Sequence, residues 1–242
     1  MARFRRIAHR GASGNYPENT RLAFVKALEA RADMIELDCQ LSGDGHVVVF
    51  HDERLRRITG AAGAVWEKSL ADLKRLDAGR WFKKSFRGER ILTLEEAVEV
   101  VAGRADLCID IKRYPRSPEG IELKSLFILS HYDYLDRTVF SSFDYRCLRR
   151  VRELAPEARL GVLWGTGMPE DPVGFAEEIA AASVHVQKEL ATRRFLERCW
   201  EAGLDVYVWT LDDIREIEHF VSLGVQGIFT NYPERLLRLS GG

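Results

Sequence analysis

The stretch Met34-Ile35-Glu36-Leu37-Asp38, followed by the turn Ser42-Gly43-Asp44-Gly45 and the run Val47-Val48-Val49-Phe50-His51-Asp52, decides how this chain is read. Successive side chains of a strand leave opposite faces, so Glu36 and Asp38 share one face while Ile35 and Leu37 share the other. The turn is too short for a crossover helix, and residues 47–50 are therefore expected to return beside residues 34–38 as a β-hairpin. Two carboxylates on one inward face are costly unless a cation or protons intervene. In a β/α barrel that face, near the C-terminal end of a strand, borders the active site.

Outward from this hairpin, short runs rich in β-branched residues at 7–9, 34–38, 107–111, 138–141, 160–163, 184–186, 205–209 and 227–229 alternate with amphipathic segments. That rhythm signals repeated βα units and a parallel sheet, with the number of strands a TIM-type (β/α)8 barrel requires; an open doubly wound sheet is the alternative. Helix starts are signalled by Asn19, by Thr93 with Glu96 as a capping box, by Asp144 and by Asp212. The interval 52–91 breaks the rhythm, with Gly60, Gly63, Trp66, Gly79, Trp81, Phe82 and Gly88 and a helical piece only at 69–76. It is expected to be a small insertion over the barrel mouth, following the hairpin. No Pro- or Ser-rich linker divides the chain, so residues 1–242 are read as one barrel domain, with 233–239 as a last helical turn or two.

Composition narrows the function. The 242 residues are 46% hydrophobic and 30% charged, as suits a packed core, and 36 basic residues against 37 acidic ones give no reason to expect a nucleic-acid partner. The basic start Arg3, Arg5, Arg6 is too short to change this. Apolar runs fall far short of the roughly 20 residues that span a bilayer, and no secretory signal precedes the strand-like sequence near Ile7. A cytoplasmic protein with no stable membrane insertion is expected; oligomeric state is not legible. Cys39, Cys108, Cys147 and Cys199 are widely spaced without a C-x-x-C pair, as expected of reduced, buried thiols.

The strand Leu107-Cys108-Ile109-Asp110-Ile111-Lys112 repeats the pattern of the first, with Asp110 and Lys112 on one face. Glu36, Asp38 and Asp110 together suit a hard divalent cation, Mg²⁺ or Ca²⁺, with salt bridges to Arg or Lys as the alternative for the first pair taken alone. Lys112 and Arg10 suit anionic substrate oxygens, which favours a phosphate ester. His9 and His51 end strands beside these acids, where imidazole exchanges protons near neutral pH. His46, His131, His185 and His219 lack such neighbours and are read as structural or surface residues. Gly165-Thr166-Gly167 lacks the remaining features of a nucleotide loop, and no nucleophile elbow surrounds Ser141-Ser142, where Ser142 is expected to help cap a helix. Phe143 and Trp209 are candidate substrate walls, with core packing as the alternative.

Taken in order, His9-Arg10-Gly11, Pro17-Glu18-Asn19-Thr20, Glu36-Leu37-Asp38, Val49-Phe50-His51-Asp52, Ile109-Asp110-Ile111-Lys112, Ser141-Ser142-Phe143-Asp144, Val208-Trp209-Thr210 and the closing residues 224–233 resemble the glycerophosphodiester phosphodiesterase family. The resemblance implies a TIM-type barrel and hydrolysis of small-molecule glycerophosphodiesters to glycerol 3-phosphate and an alcohol. It places one divalent metal, with Mn²⁺ also compatible, on Glu36, Asp38 and Asp110, acid/base catalysis on His9 and His51, and phosphate contacts on Arg10 and Lys112. Asp110 stands where the family usually has Glu, and Gln226 and Asn231 where it usually has Asp. Two other functions are compatible with the same motifs. One is a lysophospholipase D that uses Trp81 and Phe82 as an apolar groove; the other is a non-catalytic phosphate-ester-binding barrel.

Overall fold

In the computed structural model, which describes residues 4–168 and 171–237, the β-branched runs form β1 (Arg5–Ala8), β2 (Met34–Leu41), β4 (Asp106–Ile111), β5 (Thr138–Ser142), β6 (Arg159–Trp164), β7 (Ser183–Gln187), β8 (Asp205–Trp209) and β9 (Gly227–Thr230). All pair in parallel in the order β1-β9-β8-β7-β6-β5-β4-β2, and β2 pairs with β1 to close the barrel. The open-sheet alternative is thereby excluded. β3 (Val47–Val49) adds to β2 in antiparallel fashion, with Cys39 opposite Val49, as the turn chemistry requires. In the β2–β4 pair Asp38 lies opposite Asp110, so two strands that follow different helices deliver their acids side by side.

The helices between strands are α1 (Arg21–Glu29), α2 (Arg56–Thr59), α3 (Leu70–Arg75), α4 (Leu94–Val101), α5 (Ile121–His131), α6 (Tyr145–Leu154), α7 (Pro172–Glu178), α8 (Arg193–Glu201) and α9 (Ile214–Leu223), and α10 (Pro233–Leu236) follows β9. Thr93 and Glu96 form the expected capping box, and Asp144 caps α6. Two other expected starts shift by one residue: Thr20, not Asn19, caps α1, and Asp213, not Asp212, caps α9. In both cases the residue released from capping faces the cavity end of the barrel and bonds there. The expected final helix to 239 is described only to Leu237, and Arg3, Arg238 and Leu239 lie outside the described residues.

Outward-facing strand residues such as Ile35, Leu37, Ile109 and Val184 pack with the helices' apolar stripes into the main core. The insertion has a separate small core of Phe50, Leu55, Ile58, Val65, Leu73 and Ile91. It leans on the loops after β1 and β4, where Phe86 meets Tyr16 with ring centroids 5.7 Å apart and Trp66 meets Tyr114 at 5.8 Å. The insertion therefore borders the same end of the barrel as His9 and Lys112. All four cysteines are buried and free, as expected.

Candidate active site

Strand alternation divides the barrel interior into layers. Ile7, Met34, Cys108, Val139 and Tyr207 form a packed apolar layer. Two residues further along the same chain stretches stand His9, Glu36, Asp110, Ser141 and Trp209, which turn the next layer polar and open. One cavity of about 240 Å³ is lined by His9, Arg10, Glu36, Asp38, His51, Asp110, Lys112, Phe143 and Trp209, together with Ser141, Leu163, His185 and Phe229. Every residue singled out for chemistry from the sequence is thus brought into one place.

The acids sit at the bottom of this site with little solvent contact: Glu36 is 5%, Asp38 1% and Asp110 5% exposed. One carboxylate oxygen from each lies within 4.8 Å of the other two. Burial, with Asp38 beside it, pushes the Glu36 carboxyl well above the usual range. Burial likewise raises Asp110 despite Lys112. Asp38 goes the other way, because Lys112 and Arg10 outweigh its burial. Lys112 Nζ lies 3.1 Å from Asp38 Oδ1 and also bonds Asp110, while Arg10 Nε lies 3.2 Å from Asp38 Oδ2. Both the metal reading and the salt-bridge reading of the acidic pair therefore have a physical basis. Asp110 Oδ1 is buried without a hydrogen-bond partner, and a hard cation is the group that such an all-oxygen set accommodates. The shorter Asp110 still reaches the cluster because register places it opposite Asp38.

The two histidines have opposite surroundings. His9 follows β1 in a tight turn where Arg10 has φ 57° and Gly11 φ 81°. A Cβ on Gly11 would lie 2.7 Å from the backbone of Ala23, so only glycine lets α1 pack this closely. His9 Nδ1 lies 2.7 Å from Asn231 Oδ1, and Asn231 Nδ2 donates to Asp212 Oδ2 at 2.7 Å. A carboxylate accepts only, so Asp212 orients the Asn231 amide and makes His9 Nδ1 the protonated nitrogen. Burial, with Arg10 alongside, lowers the His9 pKa to about 4 and keeps the ring neutral. His51 Nδ1 instead faces the Asp52 carboxylate at 2.8 Å, and Asp52 is held in turn by Arg57.

Several supporting residues escaped the sequence reading. Asn19, read as a helix start, has φ 58° and donates from Nδ2 to Asp38 Oδ2 at 2.8 Å. Glu18 bonds both Arg10 and Arg57. His185, read as structural or surface, is fully buried yet lines the cavity; its Nε2 meets Ser183 Oγ at 2.9 Å and its Nδ1 has no partner. A polar residue alternating with Ser183 on an inward face was the available signal. His46, His131 and His219 are exposed and away from the cavity. Ser142 donates to Ile111 O and accepts from Asp144 N, so it supports the cap without being it. Thr166 follows β6 in a plain turn against Gln187. Gln226 lies before β9, at the far end of the barrel, where it accepts from Val206 N and Trp200 Nε1.

The model of the glycerophosphoryl diester phosphodiesterase family matches residues 9–235, from the first cavity histidine to the last helix. The chain belongs to this family. A glycerophosphodiester phosphodiesterase of Caldanaerobacter subterraneus is 40% identical over 234 residues, covering 96% of both chains. Among solved structures, a phosphodiesterase of Oleispira antarctica in complex with the product sn-glycerol-3-phosphate superposes with a TM-score of 0.88 at 31% identity, over 96% of this chain and 94% of that one. A glycerophosphodiester phosphodiesterase of Agrobacterium tumefaciens gives 0.85 at 28% identity, over 98% and 100%. The family match begins at the residue after β1 and runs through β2, β4 and β8, whose ends build the cavity. No helix among the described residues is long and apolar enough to cross a membrane.

Proposed function

We propose that this protein hydrolyses glycerophosphodiesters to glycerol 3-phosphate and an alcohol, with one divalent cation on Glu36, Asp38 and Asp110 and acid/base catalysis by His9 and His51. The observation that carries the reading is the pair of histidines with opposite partners beside a three-carboxylate cluster in one cavity. A bound cation would neutralise charge on a phosphoryl oxygen. Arg10 and Lys112 hold the remaining phosphoryl oxygens by charge-assisted hydrogen bonds.

His9, neutral and with Nδ1 committed to Asn231, presents Nε2 as a base that takes the proton from the attacking hydroxyl. His51, with Nδ1 on Asp52, delivers the proton from Nε2 to the departing alcohol oxygen as the phosphorus–oxygen bond breaks. The attacking group is water, or first the glycerol hydroxyl of the substrate, giving a cyclic phosphate that water opens. Trapping the cyclic product with a slow variant identifies the second route; its absence under single-turnover conditions identifies the first.

The lipid-tailed alternative relied on Trp81 and Phe82 as an apolar groove. Trp81 instead lies under the Arg57 guanidinium, 5.3 Å from its ring centroid, in a cleft walled by arginines, and Phe82 packs on Phe86. This favours a polar alcohol. The non-catalytic alternative drew on Asp110, Gln226 and Asn231; the first joins the acid cluster, the second is structural and the third orients His9. The testing experiment is release of glycerol 3-phosphate from a panel of glycerophosphodiesters with Mg²⁺, Ca²⁺, Mn²⁺ or chelator, for wild type and His51→Ala. Metal-dependent release lost in the variant is expected; an inert wild type, or a fully active His51→Ala, overturns the reading.

A further inference from the structure

The insertion carries a second concavity, of about 620 Å³, walled by Arg56, Arg57, Arg75, Arg80, Arg87 and Arg90. The chain as a whole is nearly neutral, with a net charge of −1, so this concentration is local. Asp77 is the one acid in the wall among the described residues, and its carboxylate is taken up by the backbone N–H groups of Gly79, Arg80 and Gly88 at 2.8–2.9 Å. Arg75 pairs with Asp72, and Arg90 donates to the backbone carbonyls of Arg75 and Leu76 and lies near enough to Asp77 to help lower its carboxyl. Arg56, Arg80 and Arg87 form no ion pair among the described residues. All six guanidinium-bearing residues are exposed, so core packing does not require them.

Like charges gathered in one concavity repel, and a phosphate is the group whose oxygens match several guanidinium forks at once. The cleft shares no lining residue with the catalytic cavity, but Arg57 links the two by hydrogen bonds. Arg57 lies in its wall, bonds Asp52 at 2.6 Å and Glu18 at 2.7 Å, and these two acids hold His51 and Arg10. Two hydrogen bonds thus separate an arginine of the cleft from the histidine placed at the leaving alcohol. Trp81, 37% exposed in the same wall, has the Arg57 guanidinium over its ring, 5.3 Å from the centroid, and adds an aromatic surface to the cleft.

We propose that the arginine cleft is an anion subsite for the leaving half of the substrate, taking a phosphate carried by the alcohol, so that the preferred glycerophosphodiesters are those whose alcohol is itself phosphorylated. The proposal rests on the hydrolase reading above. Its concave form fits a discrete phosphate group rather than a flat membrane surface.

The test compares glycerophosphoinositol with glycerophosphoinositol 4-phosphate, using wild type and the double variant Arg80→Ser/Arg87→Ser, whose altered residues lie outside the catalytic cavity. Wild type is expected to show a KM roughly tenfold or more lower for the phosphorylated substrate with kcat little changed. The double variant should lose that preference while turning over glycerophosphocholine as wild type does. Wild type without the preference, or a variant that keeps it, overturns the subsite. If wild type turns over no diester, the hydrolase reading has failed. The cleft is then judged by calorimetric titration of inorganic pyrophosphate into metal-free protein, where binding weakened about tenfold or more in the double variant supports an anion site, and equal or absent binding overturns it. Sedimentation with phosphatidylglycerol vesicles covers the remaining source. Arginine-dependent vesicle binding without any substrate preference would assign the cleft to lipid headgroups and overturn the proposal.

Discussion

Replacing His185 with Phe should remove a defined part of the acid sensitivity of this fold. His185 is fully buried, stacks on Tyr207 with centroids 5.0 Å apart, and occupies space that Gly161 leaves open, since a Cβ there would lie 2.4 Å from Nε2. Burial lowers its pKa from 6.5 to about 3. As pH falls through 6.5 the unfolded chain takes up this proton before the folded one, so the contribution is fully present above pH 6.5 and declines as pH falls toward 3. The whole span corresponds to about 5 kcal/mol, and the part between pH 7.5 and 5.0 to about 2 kcal/mol. Urea unfolding of wild type and His185→Phe at those two pH values measures it. The variant loses the Ser183 hydrogen bond at both pH values, so its lower baseline cancels in the difference. Wild type should lose about 2 kcal/mol more than the variant on acidification. Parallel losses would show that His185 is already charged, or is hydrated, in the folded protein.

Lys112→Met removes the cation between Asp38 and Asp110, and should cost about 3 kcal/mol in chelator, with much of the loss restored by saturating Mg²⁺; thermal unfolding in both conditions checks it, and equal loss in both would count against a shared cation site. Asn19→Ala deletes the bond to Asp38 and should weaken Mn²⁺ binding about tenfold or more by calorimetry, an unchanged affinity arguing against Asp38 as a ligand. Asn231→Asp sets a carboxylate against His9 Nδ1 and should raise the His9 pKa, moving the acid limb of kcat/KM upward by about one pH unit or more, because the base must be neutral; a stationary limb would remove His9 from that role.

The arrangement explains why departures from the family pattern differ in weight. Asp110 lines the cavity and Asn231 bonds the cavity residue His9, and each changes the site's electrostatics: one shortens an acid in the oxygen cluster, the other replaces a charge beside His9 by a neutral amide. Burial and Arg10 keep His9 neutral beside this amide, whereas a carboxylate in its place would favour the protonated form. Gln226, equally conspicuous in the sequence, bonds backbone and Trp200 at the opposite end of β9 and bears on stability alone.

The strands, the hairpin after β2 and the shared inward face of Glu36 and Asp38 follow from local rules, because strand alternation and turn length operate over a few residues and are written in the chain directly. The candidate site was equally legible where its residues sit at strand ends, since in a barrel each such end faces the same mouth. Register and partner choice are properties of distant segments. That Asp38 lies opposite Asp110, that Asn19 and Asp212 leave their expected helix caps to hold Asp38 and Asn231, and that one histidine meets an amide and the other a carboxylate were decided only when the sheet closed. The same holds for His185 and for the arginines of residues 56–90, whose spacing in sequence does not disclose that they face one cleft beside His51. Short-range geometry names the residues that can do chemistry, while the pairing of segments far apart in the chain sets their charges and partners.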